Sequence, residues 1–172
     1  MPFTPYHFGP SGFIGLALRK WIDIPVFLLA NVIIDVEVLF ADKWPHHRYW
    51  HFHTLLVGAA VGLAGGLAAY PLRNVFKKIM QLMRVPYRPA LWKMLISGAL
   101  GACVHVLIDA VYHYDVQPFW PFYARNPLWR RVADDTVLLL CIISFVPAIA
   151  LYIVTAVLYT RRNQQKLDCS RK

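Results

Sequence analysis

The hydrophobic positions of this chain fall into long blocks that are separated by short polar and basic segments. Residues 52–70, "FHTLLVGAAVGLAGGLAAY", contain no Lys, Arg, Asp or Glu. Residues 136–160, "TVLLLCIISFVPAIALYIVTAVLYT", contain none either. Because roughly 20 apolar residues in a helix cross the hydrocarbon core of a bilayer, both blocks predict membrane-spanning helices.

Three further apolar segments extend this pattern. Segments 24–41 and 91–114 are long but carry a few polar or charged side chains, and segment 11–21 is about half a span in length. The chain is 58% hydrophobic and only 16% charged, with a mean hydropathy of +0.45. The sequence therefore predicts an all-α integral membrane protein with about five membrane helices, one short and N-terminal and four longer. We expect one embedded domain over residues 1–160 and a basic tail over residues 161–172.

The basic residues predict how the chain crosses the membrane. The formal net charge is +9, and the segment 71–93 holds six Lys and Arg residues and no acid. The tail from Arg161 holds five more. Since basic loops stay in the cytoplasm, the N-terminus is predicted outside and the C-terminus inside. The amphipathic stretch 73–84 suits anionic headgroups, so we expect membrane lipids as partners and no nucleic acid.

Histidine is concentrated at the predicted outer face. Four of the seven histidines lie within eight positions, in "HHRYWHFH" (46–53), directly before an apolar block. The other three, and three acids of the apolar segments, fall toward the same face: His7, His105, His113, Asp35, Glu37 and Asp109. A charged side chain in a membrane helix costs about 3 kcal/mol on insertion scales and usually marks function. Several such groups at one level predict a shared divalent metal ion.

The spacing of these residues adds detail. His105 and Asp109 are separated by four positions and therefore stack on one helix face, as a helical metal-ligand pair requires. Histidine nitrogen and aspartate oxygen suit zinc or a similar divalent ion. Asp35 and Glu37 diverge by about 200° on a helix, so they can face one site only if the helix has ended there. If the helix continues, Asn31 and Asp35, which are four positions apart, are the alternative pair on one helix face.

The histidine-rich segment leaves two arrangements open. His47 and His51 share a face if the segment is helical, whereas His51 and His53 share a face if it is extended. The sequence does not choose between them.

Three sequence segments carry a family resemblance. After the early His7 come "IIDVEVLF" (33–40), "HHRYWHFHTLL" (46–56) and "HVLIDAVYHYDVQPFWPF" (105–122). Their order resembles the bacterial family of LexA-regulated inner-membrane metal-dependent hydrolases. That family has an early histidine, an Asp-x-Asp, a His-Arg…His-Ser/Thr-Leu segment, and a later His-x-x-x-Asp followed by a Pro-Phe motif. In this chain Glu37 stands in the second Asp position.

The resemblance implies a metal-dependent hydrolase in the inner membrane. The metal ligands that we predict are His7, Asp35, His47, His53, His105 and Asp109. We expect one or two divalent ions, most readily zinc, with Glu37 and the remaining histidines available to a second ion. Arg48 is the candidate anion clamp, because its guanidinium fits a phosphate bidentately. Glu37 or Asp115 is the candidate general base. A site at the outer headgroup level favours a lipid-linked phosphoester as substrate.

Two other function classes compete with hydrolysis. A structural or lipid-binding membrane protein could use the metal only to hold its helices together. A metal or proton transporter would need polar groups that continue inward, and the inward segments "SGALGAC" and "LAGGLAAY" are small and apolar, with no Lys, Arg, His, Asp or Glu. Gly58 and Gly62 have the spacing of a helix-packing motif, which predicts close packing within the chain or between copies in a homo-oligomer.

Overall fold

The computed structural model describes the backbone of residues 4–40, 47 and 50–170, and in this part of the chain it contains helices and no strand. A 3₁₀ turn, Thr4–His7, leads into the first helix, and another, Tyr70–Leu72, joins the third helix to the fourth. The described residues form the α-helices α1 Phe8–Ala17, α2 Ile24–Phe40, α3 Leu55–Ala69, α4 Arg73–Leu82, α5 Leu91–Tyr112, α6 Asp134–Ile143 and α7 Phe145–Ser170. The all-α prediction is confirmed.

Three stretches of helix among the described residues are long and apolar enough to cross a membrane: Leu55–Leu82, Leu91–Tyr112 and Asp134–Cys169. They coincide with three of the four long blocks predicted from the sequence. The fourth, α2, has 17 residues and is not one of these three. Its crossing of the membrane therefore stays a prediction, as does that of the short helix α1.

The last predicted span is broken near its middle. Helix α6 ends at Ile143 and α7 begins at Phe145. The hydroxyl of Ser144 donates to the carbonyl oxygen of Cys141 at 2.6 Å. Pro147 follows in the first turn of α7, where its missing N–H is tolerated. Many side chains of α7, such as Val146 and Ile153, are exposed in the single chain, which suits contact with lipid.

Glycine residues bring α3 and α5 into backbone contact. A Cβ on Gly62 would overlap the carbonyl oxygen of Gly98, and a Cβ on Gly98 would overlap that of Gly62. A Cβ on Gly66 would overlap the carbonyl oxygen of Met94. Close packing at the Gly58–Gly62 motif is therefore confirmed, and it occurs within the chain. A homo-oligomer stays a prediction.

The two ends of the helix bundle differ in chemistry. His7, Asp35, His53 and His105 all lie toward the end of the bundle at which α3 begins. At the other end Asp23 is buried, its carboxylate accepts from the Tyr87 hydroxyl at 2.6 Å, and its backbone N–H donates to Ser97 at 2.7 Å. On α5, Ser97 of the one group and His105 of the other are eight residues apart, which is about 12 Å at 1.5 Å per residue.

Candidate metal centre

Helix α5 supplies the first two candidate ligands. His105 Nε2 lies 3.2 Å from Asp109 Oδ2, one helical turn away. Both side chains are buried, His105 completely and Asp109 to all but 2%. Their predicted stacking on one helix face is confirmed.

Two further elements complete a compact group. His105 Nε2 is 3.1 Å from Asp35 Oδ1 of α2. His53, which precedes α3, places its Nε2 3.6 Å from both Asp35 Oδ1 and Asp109 Oδ2. In a tetrahedral zinc site with bonds of about 2.0–2.1 Å, adjacent ligand atoms are about 3.3 Å apart. The four measured distances, 3.1 to 3.6 Å, fall around that value.

Several atoms of this group are buried without a hydrogen bond. Within the described part of the chain, His53 Nε2, His105 Nε2 and Asp109 Oδ1 have no hydrogen-bond partner although each is within 3.6 Å of an oppositely polarised atom. A buried polar atom without a partner costs about 1–3 kcal/mol. Imidazole nitrogens and carboxylate oxygens that converge on one buried point are what a metal ion requires. The donor set therefore fits a divalent ion.

Glu37 fixes the orientation of His53. The Nδ1 atom of His53 is 2.9 Å from Glu37 Oε2, and the backbone N–H of His53 donates to the same oxygen at 3.3 Å. The backbone N–H of Trp50 donates to the other carboxylate oxygen. A carboxylate on Nδ1 holds the imidazole so that Nε2 is the ligand atom, as in many zinc proteins. This contact suits a positioning role, and the predicted catalytic role of Glu37 stays a prediction.

Asp35 and Glu37 serve the site together without leaving the helix, because α2 continues to Phe40. The sequence argument allowed both to face one site only if the helix had ended, and this was wrong. The imidazole of His53 lies between the two carboxylates, with Nε2 toward Asp35 and Nδ1 toward Glu37. Two side chains that diverge on a helix can therefore hold opposite edges of one ring.

His7 lies next to the group from the N-terminal side. Its Nε2 is 3.2 Å from Asp109 Oδ1, and its ring centroid is 4.5 Å from that of His105. The side chain is 1% exposed. His7 is therefore placed either as an additional ligand or as a partner of the second oxygen of Asp109.

A second group lies beside the first. His47 Nδ1 is 2.8 Å from Asp115 Oδ2, and the backbone N–H of His47 donates to the same oxygen at 3.3 Å. The ring centroids of His47 and His113 are 4.5 Å apart, as are those of His47 and His53. His47, His113 and Asp115 can also hold a metal ion. The predicted ligand His47 is thus paired with Asp115 and stands next to His53 instead of joining its four-atom group.

The charges of these loop residues follow from their surroundings. Burial acts to raise the pKa of Asp115, but the hydrogen bonds from His47 hold that pKa below its usual value. Burial lowers the pKa of His113 to about 4. His113 is therefore neutral at pH 7, which is the form of imidazole that binds metals. Burial acts to lower the pKa of His53, but Asp35 and Glu37 outweigh it and raise that pKa.

In the described part of the histidine-rich segment, residues 47 and 50–53, one residue departs from both regular conformations. His51 adopts a positive φ of 57°, and its ring centroid lies 4.3 Å from that of Trp120. This turn separates His51 from the centre while His47 and His53 reach it. Arg48, the predicted anion clamp, lies outside the described residues.

Sequence reasoning undervalued His113 and Asp115. Both stand directly after α5, which ends at Tyr112. In extended chain, positions two apart point the same way, so "HYD" (113–115) offered a signal of two ligands on one side. The deciding contact, from His47, joins residues 68 positions apart.

We expect the Glu37→Gln substitution to weaken zinc binding about 10–100-fold while the protein stays folded. Glutamine keeps the size of the side chain but removes the negative charge that holds His53 Nδ1–H. Competition with a chromogenic zinc chelator in detergent measures the change. Asp135→Asn, an exposed acid-to-amide change at the start of α6, is the matched control. Equal zinc affinity in both variants would contradict the positioning role.

Comparison with known proteins identifies the family. Residues 11–167 match the family described as YdjM inner membrane protein. No curated protein and no solved structure gave a match. The matched range includes the apolar helices and every candidate ligand except His7. The chain therefore belongs to the YdjM inner membrane protein family.

Proposed function

We propose that this protein is a membrane-bound metal-dependent hydrolase with its His/Asp centre at the outer face of the membrane. The observation that supports this most strongly is the convergence of Asp35, His53, His105 and Asp109 from three separate elements, with their ligand atoms all within 4.8 Å of one another. Two carboxylates and two imidazoles form a hard-to-borderline donor set that suits zinc. A bound divalent ion supplies Lewis acidity and lowers the pKa of water.

The chain's own residues prepare the site for that chemistry. Glu37 orients His53. The His47–Asp115 pair stands beside His53 and has the geometry to hold and pass a proton, since Asp115 fixes one ring nitrogen and leaves the other for a substrate or water. The side chain of Asp35 is 21% exposed, whereas those of His53 and His105 are fully buried. A substrate would therefore reach the centre on the Asp35 side.

The expected depth of the metal centre in the membrane suggests the class of substrate. By positive-inside reasoning the centre lies at the outer headgroup level, where the scissile bond of a lipid is found. Divalent ions at such sites polarise phosphoryl oxygens. A lipid-linked phosphoester, bound by its tail among the apolar helices, is the substrate that we propose.

A structural role for the metal is the second candidate. Structural zinc sites are closed, whereas catalytic ones keep an open position. The near-complete burial of His53, His105 and Asp109 favours a closed site. The partial exposure of Asp35 favours an open one.

Phosphate release from lipid substrates tests the proposal. Zinc-loaded protein in detergent would be offered a phosphatidic acid and a polyprenyl diphosphate, with inorganic phosphate as the readout. We expect release that Asp109→Asn lowers by at least the roughly 10–100-fold typical for damage to a metal site. His51→Ala, which alters a nearby histidine outside the centre, should retain activity. Bound zinc with no release from either lipid, together with unfolding on chelation, would favour the structural role.

A further inference from the structure

An open cleft of about 820 Å³ lies at the end of the bundle away from the histidines. It is formed by the loop between α1 and α2, the end of α4 with the segment that follows it, and the C-terminal half of α7. Three arginines line it, namely Arg19, Arg88 and Arg162. Amide side chains of Gln81, Asn163 and Gln165 add further hydrogen-bond donors.

The charged side chains that line the cleft are all basic. No Asp or Glu is among its lining residues. Among the described residues, none of the three arginines has a carboxylate within 4 Å. Arg19 donates one of its N–H groups to the Leu16 carbonyl at 3.1 Å and keeps the others. Planar guanidinium groups that are not neutralised by acids suit a phosphate group.

Two acids stand next to the cleft in the described chain: Asp168, which is exposed and directly precedes the lining residue Cys169, and Asp23, which is held in a hydrogen bond. Asp23 is buried and accepts the hydroxyl hydrogen of Tyr87, whose side chain lines the cleft. Burial raises the pKa of Asp23, which opposes its ionisation. It therefore reduces the positive potential of the cleft less than an exposed carboxylate would.

An apolar groove adjoins this cleft. It has a volume of about 330 Å³ and lies between α1, α2, α4 and α7. Its walls include Leu16, Leu28 and Ile149, and Val85 lines both the groove and the cleft. The buried side chain of Val85 stands between the two, so a phosphate group at the arginines would lie next to a groove of a size for an acyl chain.

The neighbouring helix α4 has the character of an interfacial helix. Phe76 and Met80 are buried against the bundle, whereas Lys77 and Lys78 are exposed. A basic amphipathic helix lies at the level of the headgroups. The cleft and groove are therefore at the depth where a phospholipid presents its phosphate.

We propose that this cleft binds the phosphate headgroup of an anionic phospholipid of the cytoplasmic leaflet, with an acyl chain in the adjoining groove. The arginines recognise the phosphate, and the groove distinguishes a lipid from a free anion. This site is separate from the metal centre and does not depend on the proposed hydrolase activity.

Lipid binding to the full-length protein in detergent tests this proposal by native mass spectrometry with added phosphatidylglycerol or phosphatidylcholine. We expect preferential binding of phosphatidylglycerol, weakened about tenfold or more by the double variant Arg88→Gln/Arg162→Gln. Both arginines are exposed, so their replacement should not disturb folding. The matched control is Lys77→Gln/Lys78→Gln, which removes the same charge at the same end but outside the cleft.

Three outcomes would overturn the proposal. Equal weakening by the two double variants would indicate diffuse attraction to a basic surface. Equal binding of the two lipids would exclude recognition of the anionic headgroup. Displacement of phosphatidylglycerol by millimolar inorganic phosphate would show that the cleft is a site for a free anion and that the groove adds nothing.

Discussion

We expect the wild-type protein to retain a divalent ion through purification in detergent, and we expect replacement of His105 with alanine to remove it. His105 Nε2 is the atom nearest to both carboxylates of the four-atom group, at 3.1 Å from Asp35 and 3.2 Å from Asp109. Without it, two carboxylates and one imidazole remain. Loss of a ligand should weaken binding by more than the roughly 10–100-fold that loss of a supporting contact costs. Metal content per chain, measured by mass spectrometry, is the direct readout.

The control for this experiment is His51→Ala. His51 lies in the same loop as His53, but its ring rests on Trp120 outside the metal centre. The His51→Ala variant makes the same change of side chain as His105→Ala and should leave the metal content unchanged. Equal loss from both variants would indicate non-specific binding to histidines.

Treatment with a chelator distinguishes a metal centre from a network of buried ion pairs that holds no metal. If the histidines are protonated and simply neutralise Asp35 and Asp109, chelation leaves the melting temperature of the wild type unchanged. If they hold a metal, chelation lowers it, because a ligand present at 100 times its Kd stabilises the folded state by about 2.7 kcal/mol. His105→Ala should then melt at the same temperature with and without chelator. Removal of one partner from a buried charged group costs about 3–5 kcal/mol, so this variant is also expected to be less stable.

The part of the centre that could be predicted from the sequence is the part that one helix encodes. His105 and Asp109 meet because residues four apart share a helix face, and that relation needs no knowledge of the rest of the fold. The pairing of His47 with Asp115 has no such local signal. It depends on where α5 ends and on the path of the loop that follows.

The histidine-rich loop shows why periodicity failed there. A helix and a strand each repeat side-chain directions at a fixed interval. The positive φ of His51 interrupts either repeat, so His47 and His53 reach the same region although they are six residues apart. A left-handed residue other than glycine costs roughly 1–2 kcal/mol and gives no sign of its presence in the sequence.

The overall fold was easier to predict than the site because long apolar blocks have few alternatives. Three blocks became helices of spanning length. The break at Ser144 between α6 and α7 was not predicted, since the sequence there is apolar on both sides and only Pro147 marks the change. The spacing of Gly58 and Gly62 predicted a close helix contact. Only the structure shows that this contact joins α3 and α5 of the same chain.

Substituting Gly98 with alanine is expected to destabilise the protein and to weaken metal binding from a distance. The added Cβ would overlap the backbone carbonyl of Gly62, and backbone cannot move aside as a flexible side chain can. Overpacking of a well-packed interface costs about 1–3 kcal/mol, and a contact with backbone belongs at the upper end of that range. Helices α3 and α5 would have to separate. Since His53 directly precedes α3 while His105 and Asp109 lie on α5, their separation would also widen the four-atom group.

Gly12→Ala is the matched control for this prediction. A Cβ on Gly12 meets only the Cβ of Ala148, at an ordinary contact distance of 3.8 Å. In a helix, alanine is intrinsically favoured over glycine by about 1 kcal/mol, so this variant should be as stable as the wild type or more so. Thermal unfolding in detergent, with metal content measured on the same samples, compares the two. If Gly98→Ala melted like Gly12→Ala and kept its metal, then the contact of α3 with α5 would not hold the centre together.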